Sequence, residues 1–145
     1  MLLLIIGGMD DLGEDLQSGD CYDPVREKWC TIAPMQHKRS CLSVVGLSGF
    51  IYAIGGCNGA EGALISVEKY NIEKNRWEEV QSLPNAHVSS CATCLGKYIY
   101  IFGGRTLAYP PEIIDSIDCY DPSGDKWFSV GKLLLKRSEA GVVIV

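Results

Sequence analysis

Proline is scarce, at 6 in 145 residues against 16 glycines, which favours many tight turns over a stiff or disordered linker. Basic charge is also short: 13 Lys and Arg face 18 Asp and Glu, for a net charge of −5. A chain that binds nucleic-acid backbone in general needs a basic field, so that class is disfavoured, although a local basic patch remains possible. No long hydrophobic run occurs. The opening Met1–Ile6 is six residues long, lacks a basic flank and is followed by acids from Asp10, so it neither spans a bilayer nor reads as a signal segment. None of the asparagines begins an N-x-[ST] sequon. Seven cysteines, an odd number, argue against a paired extracellular framework and point to a reducing compartment. What is present is 47% hydrophobic and 21% charged residues, which excludes disorder and leaves an expected soluble, cytoplasmic globular chain.

The chain repeats itself. Glycine pairs fall at Gly7-Gly8, Gly55-Gly56 and Gly103-Gly104, 48 residues apart each time. Tyr22-Asp23, Tyr70-Asn71 and Tyr120-Asp121 follow in phase, and a tryptophan comes seven residues after each tyrosine, at Trp29, Trp77 and Trp127. Between these markers lie short β-branched and aromatic runs, Phe50–Ile54 and Tyr98–Phe102, preceded by Cys41–Val45 and Ser89–Leu95 across glycine-containing turns. Further strands are expected at 65–70, at 113–120 and around each tryptophan. No 3.6-residue period persists, so the prediction is all-β, with four antiparallel strands per unit, the blade of a β-propeller. Asp23-Pro24 and Asp121-Pro122 suit the first two positions of a type I turn. The Tyr and Trp across that turn are expected to pack against the next blade and to find partners for the hydroxyl and indole N–H.

Gly-Gly, Tyr-Asp and Trp at these offsets resemble the kelch repeat. The segments Tyr22-Asp23-Pro24, Trp29, Ala33-Pro34-Met35, Arg39 and Ile51–Gly56 are most similar to the intracellular Kelch-like (BTB–Kelch) proteins. The resemblance covers the whole chain, as repeats of approximately 1–40, 41–88 and 89–138, with 139–145 finishing the first strand of a further blade. It implies three blades, half of a six-bladed propeller, and a propeller face that captures a protein substrate or peptide. Cullin-3 recruitment would pass through a BTB domain with no counterpart here. Other kelch proteins bind actin, the second partner class implied. Three blades do not close a ring, so the chain is expected to be part of a larger propeller, a truncated fragment without function of its own, or one of two copies related by a two-fold axis.

The resemblance places the binding face at the loops entering each first strand and at those following each glycine pair. Ten residues past each tryptophan stand Arg39, His87 and Arg137, with Ser40 and Ser138 after the arginines. Arg with Ser suits acidic or phosphorylated peptides, because the guanidinium fork pairs carboxylates bidentately; the alternative is that these residues bridge blades or are solvated. Arg105 and Tyr109, the latter followed by Pro110-Pro111, make the third glycine-pair loop a contact candidate. The acidic loop 9–19 lacks the spacing of a calcium site. Cys91-x-x-Cys94 has no second ligand pair and falls on a strand, so it reads as core packing. His37 and His87 belong to no ligand pattern, and no nucleophile–base pair or phosphate loop stands out. The expectation is a binding module without metal, cofactor or catalysis, and without nucleic-acid or membrane partners.

Overall fold

The computed structural model describes residues 1–145 and holds strands, turns and loops but no helix. The first sheet joins β1 (Leu3–Ile6), β2 (Gly19–Asp23) and β3 (Lys28–Thr31). The second joins β4 (Ser43–Leu47), β5 (Phe50–Ile54), β8 (Val67–Asn71) and β9 (Arg76–Val80), and carries a small hairpin, β6 (Cys57–Asn58) with β7 (Gly62–Ala63). The third joins β10 (Cys91–Leu95), β11 (Tyr98–Phe102), β12 (Ser116–Asp121) and β13 (Lys126–Lys132). Every pairing is antiparallel, and the sheets are successive blades of a partial β-propeller.

Several strands differ from their expected extents: those expected at 65–70 and 89–95 run Val67–Asn71 and Cys91–Leu95, the latter because Ser89 turns the chain at φ 54°. The strand expected at 41–45 begins at Ser43, because Cys41 turns the chain with φ 52°. It runs on through Leu47, since Ser48 and Gly49 alone, at φ 51° and 80°, make the two-residue turn that matches strand twist. The strand expected at 113–120 starts at Ser116: Ile113 makes only an isolated bridge to Arg105, and the Ile114 amide donates to the Gly104 carbonyl. Residues 139–145 have no ladder partner, as no strand lies beside them.

The core lies between blades rather than within them. One cluster joins the first two blades through Ile6, Met35, Ala53, Tyr70 and Trp77, with Leu4, Ile32 and Ala33 at its margin. The other joins the second and third through residues including Tyr52, Ile54, Leu83, Ile99, Ile101 and Tyr120. Each Tyr–Trp pair is tilted with ring centroids 5.0 Å apart. The tryptophans lean on the preceding blade, not the next: Trp77 Nε1 donates to the Ala33 carbonyl at 2.7 Å, and Trp127 Nε1 to that of Gln81 at 2.9 Å. The reason is that β8–β9 and β12–β13 form the outer half of each blade, and the segment 32–35 or 80–83 leaving the preceding blade passes beneath them. Trp29, in the first blade, has no such neighbour and is 56% exposed.

The glycine pairs lie where these segments cross. A Cβ on Gly55 would stand 2.7 Å from the His87 carbonyl oxygen, and one on Gly56 2.5 Å from that of Ser40. Both residues also have positive φ, 61° and 84°. Gly56→Ala is therefore expected to lower unfolding free energy by at least about 2 kcal/mol, combining left-handed strain with backbone overlap. Gly59→Ala, whose Cβ meets nothing within 4 Å, is the control, and urea titration of both variants reads the difference.

Candidate functional site

The segment that leaves each of the first two blades dives under the following one and there sets a nitrogen-bearing side chain against a buried acid. Arg39 is fully buried and bonded to Glu68, itself fully buried: Nε donates at 3.3 Å and Nη2 at 3.0 Å to Oε1. The remaining donors go to the carbonyls of Gly55 at 2.8 Å and Ser66 at 2.9 Å and to the Ser66 hydroxyl at 2.8 Å. Glu68 also accepts the amides of Gln36 and His37, at 2.6 and 3.2 Å. One blade later His87 does the same work. Its Nδ1 faces the Gly103 carbonyl at 2.7 Å and its Nε2 faces Asp118 Oδ2 at 3.1 Å.

Above these stitches stand the loops that follow the glycine pairs. Each is closed at its neck by one hydrogen bond: the amides of Leu16, Leu64 and Ile114 donate to Gly8, Gly56 and Gly104 at 2.9, 2.9 and 2.8 Å. The first two loops are linked, since the Gly59 amide donates to Asp15 Oδ2 at 2.9 Å. Between them and the segment 36–38 lies a groove of about 520 Å³, with Glu14, Asp15, Lys38, Asn58 and Glu61 on its walls. Asp15 Oδ1 is buried there without a hydrogen-bond partner. Beside it His37 spans two acids, with Nδ1 3.1 Å from Glu61 and Nε2 2.9 Å from Glu79. Burial works to lower the pKa of the ring, but the hydrogen bonds to Glu61 and Glu79, with the charge of Glu61, outweigh it and hold it above the ordinary histidine value. In the third loop Tyr109 stands almost wholly in solvent, at 99% exposure.

The comparison with protein families then decides what the fold is. The model of the Kelch motif matches residues 2–36, 38–84 and 86–134. This chain belongs to the kelch family. It is similar to Kelch-like protein 23 of Homo sapiens, 30% identical over 135 residues, which are 92% of this chain and 23% of that protein. To Kelch-like protein 26 of Danio rerio it is 36% identical over 106 residues, 73% of this chain and 17% of that protein. Alpha-scruin of Limulus polyphemus is 30% identical over 119 residues, covering 81% and 13%. The chain thus spans less than a quarter of the length of these relatives.

Within the kelch frame the residues offered as ligand contacts separate into two groups. Arg39, Ser40 and His87 are buried and turned into the fold, so their expected reach toward a ligand is corrected to the blade-bridging role. The physical reason is the acid two residues before the tyrosine, Glu68 or Asp118, which draws the Arg39 or His87 side chain inward; that in-phase acid is the sequence signal for it. Ser40 pairs its backbone with Cys57. Arg105, Tyr109, Arg137 and Ser138 keep surface: Arg137 and Tyr109 are exposed, while Arg105 and Ser138 are partly so. Arg105 Nη2 lies 3.8 Å from Glu139, and its Nε has no partner. Cys91 and Cys94 lie on β10, and burial pushes the Cys91 thiol up, away from thiolate chemistry.

Two outcomes follow for the stitches. Arg39→Ala leaves the Glu68 carboxylate buried without its cation and is expected to cost about 3–5 kcal/mol, whereas the paired change Arg39→Met with Glu68→Leu recovers most of that loss in urea unfolding. For His37, a folded pKa held above the unfolded one means its ion pairs stabilise fully below the ordinary histidine value and fade as pH rises through the folded value. The melting temperature should therefore fall on the alkaline side of a scan across about pH 5–9, and the fall should shrink in His37→Gln.

Proposed function

We propose that this chain is a protein-recognition module that takes its partner on the face formed by the loops after the glycine pairs. The observation that carries this reading is the groove between the first two of those loops: its floor is fixed by buried stitches while its walls differ in sequence from unit to unit, which is how a rigid scaffold presents variable contacts. Membership in the kelch family supports the same reading. The groove wall is acidic, with Glu14, Asp15 and Glu61 and one lysine, Lys38. Such a wall suits a partner segment that brings a basic side chain rather than an acidic one, since Arg39 is buried against Glu68. Tyr109 and Arg105 supply an aromatic and a cationic contact from the third loop, and Tyr is a common anchor in interfaces.

At the finer level, similarity to Kelch-like proteins supports a part in substrate capture for a cullin-3 ubiquitin ligase adaptor, whose BTB domain would lie outside these 145 residues. An actin-binding kelch scaffold is the second reading, and the alpha-scruin match is its support.

The test uses affinity capture with wild-type chain, Tyr109→Ala and a Glu14→Lys, Glu61→Lys pair, beside a Glu73→Lys control on the far turn. A partner retained by wild type and control but reduced at least about tenfold by either loop variant is the expected result. Capture that ignores both loop variants overturns the loop-face reading. Co-sedimentation with F-actin, abolished by the same loop variants, would select the scaffold reading.

A further inference from the structure

In every blade the residue before the tyrosine stands directly opposite the residue after the tryptophan, on the two outer strands. The pairs are Cys21 with Cys30, Lys69 with Glu78 and Cys119 with Phe128. Residues opposite one another in an antiparallel ladder share a face, with Cβ atoms about 4.5–5.5 Å apart, so their side chains meet. The second blade shows that contact directly: Lys69 Nζ lies 2.8 Å from Glu78 Oε1. In the first blade two free thiols hold the place of that ion pair. The third blade has a thiol on one strand only.

The two thiols are unequal. Cys21 is buried, whereas Cys30 is open to solvent. Both face the second blade, where Tyr70, Ile72 and Asn75 line a cavity of about 240 Å³ with them. The contact thus belongs to a junction between two blades of this chain. Burial, then the neighbouring Cys30 thiol and the charge of Asp23, push the Cys21 thiol up, which keeps it protonated. Two residues past Cys30, the Ile32 amide donates to the Gly19 carbonyl at 3.0 Å, which fixes the phase of the ladder. Hydrogen-bonded pairs recur at every second position, so Cys21 and Cys30 form one, with Cα atoms about 5.5 Å apart. A disulfide spans about 4.4–6.8 Å between Cα atoms and so fits with the strands still paired. It prefers Cβ atoms about 3.5–4.5 Å apart, whereas a hydrogen-bonded pair holds them at the wide end of the cross-strand range. Closure must draw the strands together, and a disulfide under such strain is easily reduced.

We propose that Cys21 and Cys30 are a site of reversible oxidation, joined by a disulfide when hydrogen peroxide reaches the chain and reopened by a small thiol. The Cys30 sulfur, which solvent reaches, attacks one peroxide oxygen: the S–O bond forms, the O–O bond breaks, and the other oxygen leaves as water with the thiol proton. The Cys21 sulfur then attacks the Cys30 sulfur: the S–S bond forms, the S–O bond breaks, and the hydroxyl leaves as water with the Cys21 proton. Both sulfurs are oxidised and the peroxide is reduced to water. For the return, an external thiolate attacks the exposed Cys30 sulfur and releases Cys21 as a thiol, and a second thiolate frees Cys30 from the mixed disulfide. Under oxidation the bond ties the outer strands of the first blade where the ion pair ties those of the second. It does not rest on which partner the loop face takes.

The test treats the whole reduced chain with one equivalent of hydrogen peroxide and maps the product with trypsin under non-reducing conditions. Trypsin cuts after Arg26 and Lys28, between the two cysteines, so the disulfide joins peptides 1–26 and 29–38, each with a single cysteine. The linked peptide is expected to carry most of Cys21, and reduced glutathione should return both peptides to free thiols. Cys119, which has Phe128 opposite, should stay out of the linkage. Cys30→Ser, at an exposed position, should abolish the linked peptide and leave Cys21 reduced, with circular dichroism unchanged. Peroxide that carries Cys30 to the sulfinic acid with the two peptides unlinked overturns the proposal. So does a linkage of Cys30 to another cysteine in preference to Cys21, or a Cys21–Cys30 disulfide that glutathione leaves intact.

Discussion

Every blade after the first is held at a fixed angle by a nitrogen-bearing side chain, Arg39 or His87, delivered from the blade before it onto a buried acid. Arg39 comes from the segment leaving the first blade, and its acceptor Glu68 sits in the second with neither side chain in contact with solvent. A buried guanidinium is tolerated only because all its donors are matched, to the carboxylate, two carbonyls and a hydroxyl. That condition fixes where the linking segment runs, which fixes the glycine pair it must cross, which fixes the rim from which the loops rise. His87 and Asp118 repeat the device with an imidazole in place of the guanidinium and a shorter acid. The hydrophobic clusters supply most of the cohesive free energy, but apolar contact alone does not set a register.

How much of this could be read in advance depended on whether the information was periodic. The glycine pairs, the tyrosines and the tryptophans recur in phase, so the main strands of each blade, their order and the all-β class follow from spacing. Side-chain direction does not. Arg39 lies ten residues past Trp29 whether it points outward or inward, and the acid that turns it inward is 29 residues downstream. The ends of strands were equally hidden where a single residue with positive φ, such as Cys41, moved the boundary. The β6–β7 hairpin escaped notice because two-residue strands have no period, and the asparagine that shapes it acts through local hydrogen bonds from Ala60 and Glu61.

His37 shows how a residue of no evident pattern acquires a role from its neighbours. Its backbone amide serves the buried Glu68 while its ring ties the second glycine-pair loop to the outer strand of the same blade through Glu61 and Glu79. The rim of the groove is thereby coupled to the stitch beneath it, so a residue with a quarter of its side chain exposed links the surface to the core.

The hydrogen bond at the neck of each rim loop separates two kinds of evolutionary freedom. The chain may take seven residues between Gly8 and Leu16 or nine between Gly104 and Ile114, and it re-enters the blade at the same point in either case. Drift in length or composition above the neck leaves the sheet register untouched. Such loops behave as exchangeable cassettes, so a new binding specificity can arise by recombination between units without first passing through an unstable fold.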